Sequence, residues 1–259
     1  MKAIIIAAGS SKRLRPLTNE LPKCMLKIEG KPIIQNTIEL FQANGISDIS
    51  IIRGWKGEKI NFPNIAYFEN DDFLNNNILH SLMYARAKLE EAVETKEEMV
   101  ISYSDIWYND SIVKALLKDK HDIASIVDTD WQHLYEGRTE HPISEAEKVI
   151  MDNNKRIIKI GKRVLIDDVP KDKLGEFIGL WKFTPKGIKI FLKHFDVLNK
   201  KLRKEEPFQN AKEWQKSYIT DIFQEMIHRG EEIYCILVKN NWREFDTMQD
   251  FLLIGGEIS

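Results

Sequence analysis

The stretch Ala3-Ile4-Ile5-Ile6-Ala7-Ala8-Gly9-Ser10-Ser11-Lys12-Arg13-Leu14-Arg15-Pro16, with Pro22-Lys23 close behind, decides how this chain folds. Its first half is a short, β-branched apolar run, the pattern of a strand buried on both faces. The small residues that follow leave backbone N–H groups open to a phosphate, and Arg13, Arg15 and Lys23 add positive charge nearby. A strand, a small-residue turn and cations suit an anion at the carboxyl end of a parallel sheet. Only Gly9 is present of the three spaced glycines of a dinucleotide loop, and the Gly-Lys-Ser/Thr ending of a P-loop is missing, so the segment is neither. By residue type alone it also reads as an ordinary strand-to-helix turn with solvated cations.

The order Ala7-Ala8-Gly9, Arg13, Pro16-Leu17-Thr18, Pro22-Lys23 resembles the signature of the nucleotidyltransferases that join a nucleoside monophosphate to a phosphorylated acceptor. Ser11 stands where a second glycine is usual. Serine tolerates fewer backbone conformations, while its hydroxyl can donate to a phosphate. The resemblance continues through Gly30-Lys31-Pro32-Ile33-Ile34 and the helical pattern ending near Asn44-Gly45, through Ile49 to Ile52 with Gly54-Trp55, and through Asn76-Asn77 with Ser81-Leu82, the segment beside the base. It implies a single-domain, Rossmann-like α/β fold over 1–259, with a mostly parallel central sheet flanked by helices. A small β-hairpin or lid over the cleft and acceptor-site insertions at roughly 128–176 complete that expectation. The nucleotide contacts it implies are Ala8, Gly9, Ser10, Ser11, Lys12, Arg13, Lys23, Asn77, Ser81 and Ser104.

Asp105 ends the apolar strand Met99 to Tyr103, and Asp246 lies in Trp242-Arg243-Glu244-Phe245-Asp246-Thr247. The resemblance gives Asp105 a divalent metal, with Asp246 as second ligand. Asp105 as a helix cap is the competing reading, but Asp110 and Ser111 already offer that cap. Asp246 equally suits the start of a last helix, Met248 to Ile254. In this family an acceptor oxygen attacks the α-phosphorus of a nucleoside triphosphate and pyrophosphate leaves in line. Nearly every participant is an anion, so catalysis is positioning and charge neutralisation, which Mg²⁺ on carboxylates supplies. Arg13, Lys23 and Asp105 are the expected catalytic residues: Arg13 binds the leaving β- and γ-phosphates, and Lys23 bridges the α-phosphate and the attacking oxygen.

Composition agrees with an enzyme of this kind. The 259 residues are 43% hydrophobic and 30% charged, enough for one large α/β core, and no linker divides them. Acidic and basic residues, 40 and 38, nearly cancel, which argues against a general nucleic-acid binder. No signal-like or membrane-length apolar run is present, so Cys24 and Cys235 are read as reduced thiols of a cytoplasmic protein. The histidines His80, His121, His133, His141, His194 and His228 are scattered, more in keeping with surface positions than with ligands, and receive no chemistry. A homo-oligomer stays open.

The acceptor side is less legible. Glu147 to Met151 and Arg156 to Gly161 read as a hairpin around Asp152-Asn153-Asn154-Lys155, covering the cleft. Lys162 matches the place where related sugar-nucleotide enzymes bind the acceptor phosphate. Glu176 opens a strand whose interior Gly179 signals either close approach by a ligand or relief of crowding. Lys186 to Leu202 and Ala211 to His228 have helical spacing, and Tyr218-Ile219-Thr220-Asp221 resembles the start of a helix lining the acceptor site. Lys162, Glu176 and Asp221 are therefore the acceptor candidates, Glu176 or Asp221 facing an ammonium. The tryptophans read as core fillers, or else as a cation-binding cage. Size and the segment Ile101 to Lys162 resemble the small cytidylyltransferases for phosphocholine, phosphonates and phosphoglutamine. The expectation is thus CMP transfer from CTP to a small phosphorylated acceptor. The alternatives are a sugar-1-phosphate nucleotidyltransferase using UTP, dTTP or GTP, and a non-catalytic nucleotide-binding regulatory subunit.

Overall fold

The structure is a computed structural model and describes residues 1–253. The opening run forms β1 (Lys2–Ala7), in which Ile4, Ile5 and Ile6 are buried. The two-residue period sends Ile4 and Ile6 into one core and Ala3 and Ile5 into another. Each isoleucine so removed from water contributes about 1.5–3 kcal/mol, which fixes β1 at the centre of a sheet covered on both faces. A ribbon of β2 (Lys27–Ile28) and β3 (Lys31–Pro32) leads to α1 (Ile33–Ala43), closed by Asn44 and by Gly45 at φ 80°. There follow β4 (Asp48–Arg53), β5 (Ile65–Glu69), α2 (Ile78–Leu82), α3 (Arg86–Glu94), β6 (Met99–Tyr103), β7 (Ile106–Tyr108), α4 (Asp110–Lys118) and β8 (Ile123–Asp128). The chain continues through β9 (Lys148–Met151), β10 (Ile157–Gly161), β11 (Leu174–Phe183), α5 (Pro185–Lys201), α6 (Ile219–His228), β12 (Tyr234–Val238), β13 (Trp242–Glu244) and α7 (Met248–Leu253). Ile254, the expected end of the last helix, lies outside the described residues.

Strands β5, β4, β1 and β6 run parallel, as the resemblance implies. Across the antiparallel β11 the nine-stranded sheet forks, to β9 and β10 on one side and to β8 and β12 on the other. The apolar sides of α1 and α4 cover one face, and those of α2, α3, α5 and α6 the other. β11 pairs with β9 through Leu174–Glu176 and with β6 through Leu180–Phe183. Between these two pairings lies Gly179, at φ 82°, where a Cβ would stand 2.4 Å from the Tyr103 ring. Its lack of a side chain therefore relieves crowding, the second of the two readings of that glycine.

The hairpin turn is as read, with Asp152 Oδ1 accepting from Asn154 N at 2.8 Å and Arg156 N at 2.9 Å. Its strands join the main sheet as an edge because Val149, Met151, Ile157 and Ile160 bury in the core, and its open end borders the cleft through Glu147 and Lys162. The helix expected over Ala211 to His228 is shorter: only Ile219–His228 is α-helical. Trp214 is drawn inward against His80, Phe195 and Phe208, which leaves a short 3₁₀ turn, Trp214–Lys216, in place of the helix's first part. Among the described residues no helix is long and apolar enough to cross a membrane.

Candidate functional site

Because the parallel strands end together, their carboxyl ends open a cleft of about 280 Å³. β1 leads into Ala8, Gly9, Ser11 and Arg13, and β6 into Ser104 and Asp105. β11 runs the opposite way, so its early residues Glu176 and Phe177 reach the same edge. Asp246 arrives by a separate route. β13 pairs with β7, Glu244 opposite Ile106, and Phe245 N donates to Asp105 O at 3.2 Å. The intervention of β7 removes Asp105 from the start of α4, so it does not cap that helix. Nor does Asp246 cap α7: Asp250 Oδ2 accepts from Thr247 N at 2.9 Å, and Thr247 Oγ1 accepts from Asp250 N at 3.2 Å. Both carboxylates are left free for the cleft.

Lys23 stands between them. Its Nζ lies 2.5 Å from Asp105 Oδ2 and 2.6 Å from Asp246 Oδ1, and its side chain is 11% exposed. Burial disfavours its charge, but Asp105, Asp246 and Glu244 outweigh that and hold the ammonium above the ordinary lysine range. Arg13, 53% exposed, reaches Asp246 Oδ2 at 2.9 Å from the mouth. Burial works against the charge of Asp246 too, yet Lys23, His141 and Arg13 hold it well below the usual carboxylate range. Glu244 has the opposite fate: burial, then Asp246 and Asp105, push it well above. Asp105 Oδ1 is buried without a hydrogen-bond partner.

Ser11, the departure from the family pattern, occupies the left-handed region at φ 45° and ψ 45°. Its carbonyl accepts from Thr18 Oγ1 at 2.8 Å and Leu14 N at 3.2 Å, so the loop keeps a conformation that glycine adopts with less strain. Ser11→Gly is expected to stabilise the protein by about 0.5–1 kcal/mol, read as a small rise in the thermal midpoint. An unchanged or lower midpoint would show that the serine side chain compensates for its backbone.

The base-side expectations fall together. Asn77 Oδ1 accepts from Ile78 N at 2.9 Å, capping α2, and its Nδ2 donates to Lys216 O at 3.2 Å. Ser81 Oγ donates to Asn76 Oδ1 at 3.1 Å and accepts from Asn70 Nδ2 at 2.8 Å. Asn76, Asn77, Ser81 and Ser104 all line the cleft, whereas Ser10 and Lys12 lie in the loop but not on its wall. On the other wall, Lys162 Nζ lies 3.0 Å from Glu145 Oε2 and 4.8 Å over the Tyr218 ring. Burial opposes its charge, and Tyr218, Glu147 and Glu145 raise it above the ordinary range. Glu176 is 3% exposed and faces the cleft.

Asp221 is the expectation that the structure corrects. Its Oδ2 accepts from Tyr218 N at 2.8 Å and its Oδ1 from Asn210 N at 2.9 Å, and it stands off the cleft wall. An Asp in a helix's first turn serves the free N–H groups there, and this one is spent on them. The histidines also need correction. His80, His141 and His194 are largely withdrawn from solvent, and burial lowers His80 to about 4. His141 Nδ1 lies 2.9 Å from Asp246 Oδ2, outside hydrogen-bond geometry, and with Glu244 the three offer ligand atoms within 4.8 Å of one another. Of the tryptophans, Trp131, Trp181 and Trp214 fill the interior and only Trp242 lines the cleft, so no tryptophan cage forms. Tyr103, Tyr135 and Tyr218 are the rings that line it together with Phe73 and Phe177. His141, Tyr135, Glu147 and Glu244 escaped the sequence reading because no local spacing marks them; their neighbours come from distant strands.

A parallel-strand cleft carrying this loop and these charges defines an α/β enzyme of nucleotide chemistry. The model of the nucleotidyl transferase family matches residues 2–132. CTP:phosphoglutamine cytidylyltransferase of Campylobacter jejuni is 30% identical over 255 residues, 96% of this chain and 97% of that protein. Choline-phosphate cytidylyltransferase of Streptococcus pneumoniae is 38% identical over 93 residues, 34% of this chain and 41% of that one. The solved CTP:phosphocholine cytidylyltransferase from Streptococcus pneumoniae superposes with a TM-score of 0.70 at 20% identity, covering 98% of this chain and 97% of its own. The chain belongs to the nucleotidyl transferase family. It is a nucleotidyltransferase by family.

Proposed function

We propose that the protein transfers CMP from CTP to a small acceptor bearing a phosphate or phosphonate and releases pyrophosphate. The observation that carries this reading is Lys23 held between Asp105 and Asp246 directly beside the Gly9–Ser11 loop. The choice of CTP is supported by the relatives at 30% and 38% identity, both of which are cytidylyltransferases. Arg13, exposed at the mouth, binds the β- and γ-phosphates. Lys23 bridges the α-phosphate and the attacking acceptor oxygen, which is already ionised at neutral pH and needs no general base. Ala8, Gly9 and Ser11 offer the phosphate loop, while Asn77, Ser81 and Ser104 frame the nucleoside. Lys162, from the acceptor region at roughly 128–176, takes the acceptor phosphate.

Asp105 and Asp246 would hold Mg²⁺. The donor set fits, since both are hard oxygen ligands and Asp105 Oδ1 is buried with no partner. When bound, the ion neutralises phosphate charge as the α-phosphorus is attacked. The direct test is to incubate the protein with each of the four triphosphates, Mg²⁺ and a panel of phosphocholine, 2-aminoethylphosphonate, phosphoglutamine and hexose 1-phosphates, following pyrophosphate. Release with CTP and one of the first three is expected. Release only with UTP, dTTP or GTP and a hexose 1-phosphate would overturn the reading.

A further inference from the structure

Between α3 and α5, on the outside of the molecule, runs a groove of about 580 Å³ that shares no residue with the cleft. α3 leads into β6 and α5 leaves β11, and because those strands are antiparallel the two helices run in opposite senses. Arg86 bridges them, its guanidinium reaching Asp196 Oδ1 at 2.5 Å and Oδ2 at 2.9 Å. Val93, Leu192 and Val197 form an apolar floor, and Val197 is 44% exposed. The two walls differ in sign. α3 presents Glu90 and Glu94, while α5 presents Lys189, Lys193 and Lys200, all of them exposed. Arg86 and Asp196, the exceptions to that pattern, neutralise each other. Glu90 also pairs with Arg86, whereas Glu94, Lys189 and Lys193 join no ion pair among the described residues.

From this arrangement we infer that the groove is a self-association surface whose occupant is a second copy of this chain. Counted in opposite senses from the Arg86–Asp196 bridge, at equal rise per residue, Glu90 lies level with Leu192 and Glu94 level with Ile188. Lys193 and Lys189 are the next residues along α5. Within one chain the groove keeps these acids and lysines apart. A two-fold axis along the groove leaves every residue at its own height and lays α3 of each copy over α5 of the other. Glu94 then faces Lys189 of the second copy and Glu90 faces Lys193 of the second copy, and each pairing occurs twice. Between them the two apolar floors meet and shed water. The alternation of sign selects the occupant. A nucleic acid or an anionic membrane would match the lysines and be repelled by the acids beside them, whereas the chain's own face matches both rows. The cleft stays open in such a dimer, so the association is independent of the cytidylyl-transfer reading and stands or falls separately.

Sedimentation equilibrium of the whole protein tests this directly, with twice the chain mass expected at about 100 μM in low salt. Two charge reversals then test the face itself. Lys189→Glu with Lys193→Glu makes both rows acidic, and Glu90→Lys with Glu94→Lys makes both rows basic. All four positions are exposed, so each double variant should melt close to the wild type. Alone, each should dissociate at least about tenfold more readily, because like charges now face each other across the axis. Mixed in equal amounts the two should recover the dimer, since an acidic face then meets a basic one. A wild-type chain that stays monomeric at about 100 μM would overturn the inference and leave this face to solvent or to another partner. Variants that associate as the wild type does would place the contact elsewhere, and a mixture that stays monomeric would show that the two rows do not meet; each result overturns it.

Discussion

Lys23→Ala is expected to lower kcat by about 10³-fold or more while the protein stays folded. The ammonium touches both carboxylates of the site, at 2.5 Å and 2.6 Å, and in the proposed transfer it would meet developing charge on the α-phosphoryl oxygens. Removing one preorganised donor to such charge costs about 10²–10³-fold in well-studied sites, and here a full positive charge goes with it. The fold survives because Asp246 keeps Arg13 and His141 beside it, and Lys23 belongs to a three-residue turn outside the central sheet. Circular dichroism and steady-state pyrophosphate release separate the two effects. Turnover within about tenfold of wild type would take Lys23 out of the mechanism.

Asp105→Asn should be nearly as damaging to turnover and nearly silent in stability. Its carboxylate makes one ion pair, through Oδ2 to Lys23, and its Oδ1 has no partner. The backbone bond that joins it to Phe245 does not involve the side chain. An isosteric amide therefore disturbs little packing, but it removes the charge that a divalent ion requires, for a loss of about 10³-fold in kcat. Asp246→Asn differs: it weakens contacts to Arg13, Lys23 and His141 together, so both activity and thermal midpoint should fall. If Asp105→Asn unfolds the chain instead, its role is structural and the metal assignment fails.

The legible parts of this protein were those whose cause is local. The β1 run and the loop behind it are contiguous, and the competing explanation for Asp105 could be weighed by asking which nearby residues cap the next helix, whereas for Asp246 the cap and metal readings stand equal. In neither case does the aspartate cap a helix: α4 starts after Asn109, whose side chain makes no capping bond, with the expected caps Asp110 and Ser111 inside the helix, while the Thr247–Asp250 pair serves α7. The same logic misled at Asp221, where an Asp near a helix start was credited to the acceptor but is consumed by backbone N–H groups. His141 had no signal at all. It reaches Asp246 because Arg138 is tied to Asp250 at 2.7 Å and Thr139 N to Gln249 at 2.9 Å, docking its loop on α7 from far along the sequence. Glu147 and Glu176 become neighbours only when β9 pairs with β11, a long-range event that periodicity does not encode. Three of the six indoles, Trp131, Trp181 and Trp214, went to the core, and only Trp242 reached the cleft.

The central claim is that a CMP unit is joined to the acceptor phosphate and not merely released. Phosphorus NMR of a mixture of protein, CTP, Mg²⁺ and an ammonium-bearing phosphate tests it most directly. The account predicts the loss of CTP signals and the growth, in equal amounts, of pyrophosphate and of two coupled resonances from a new CMP–acceptor diphosphate. Pyrophosphate accompanied by free CMP, with the acceptor resonance unchanged, would contradict it.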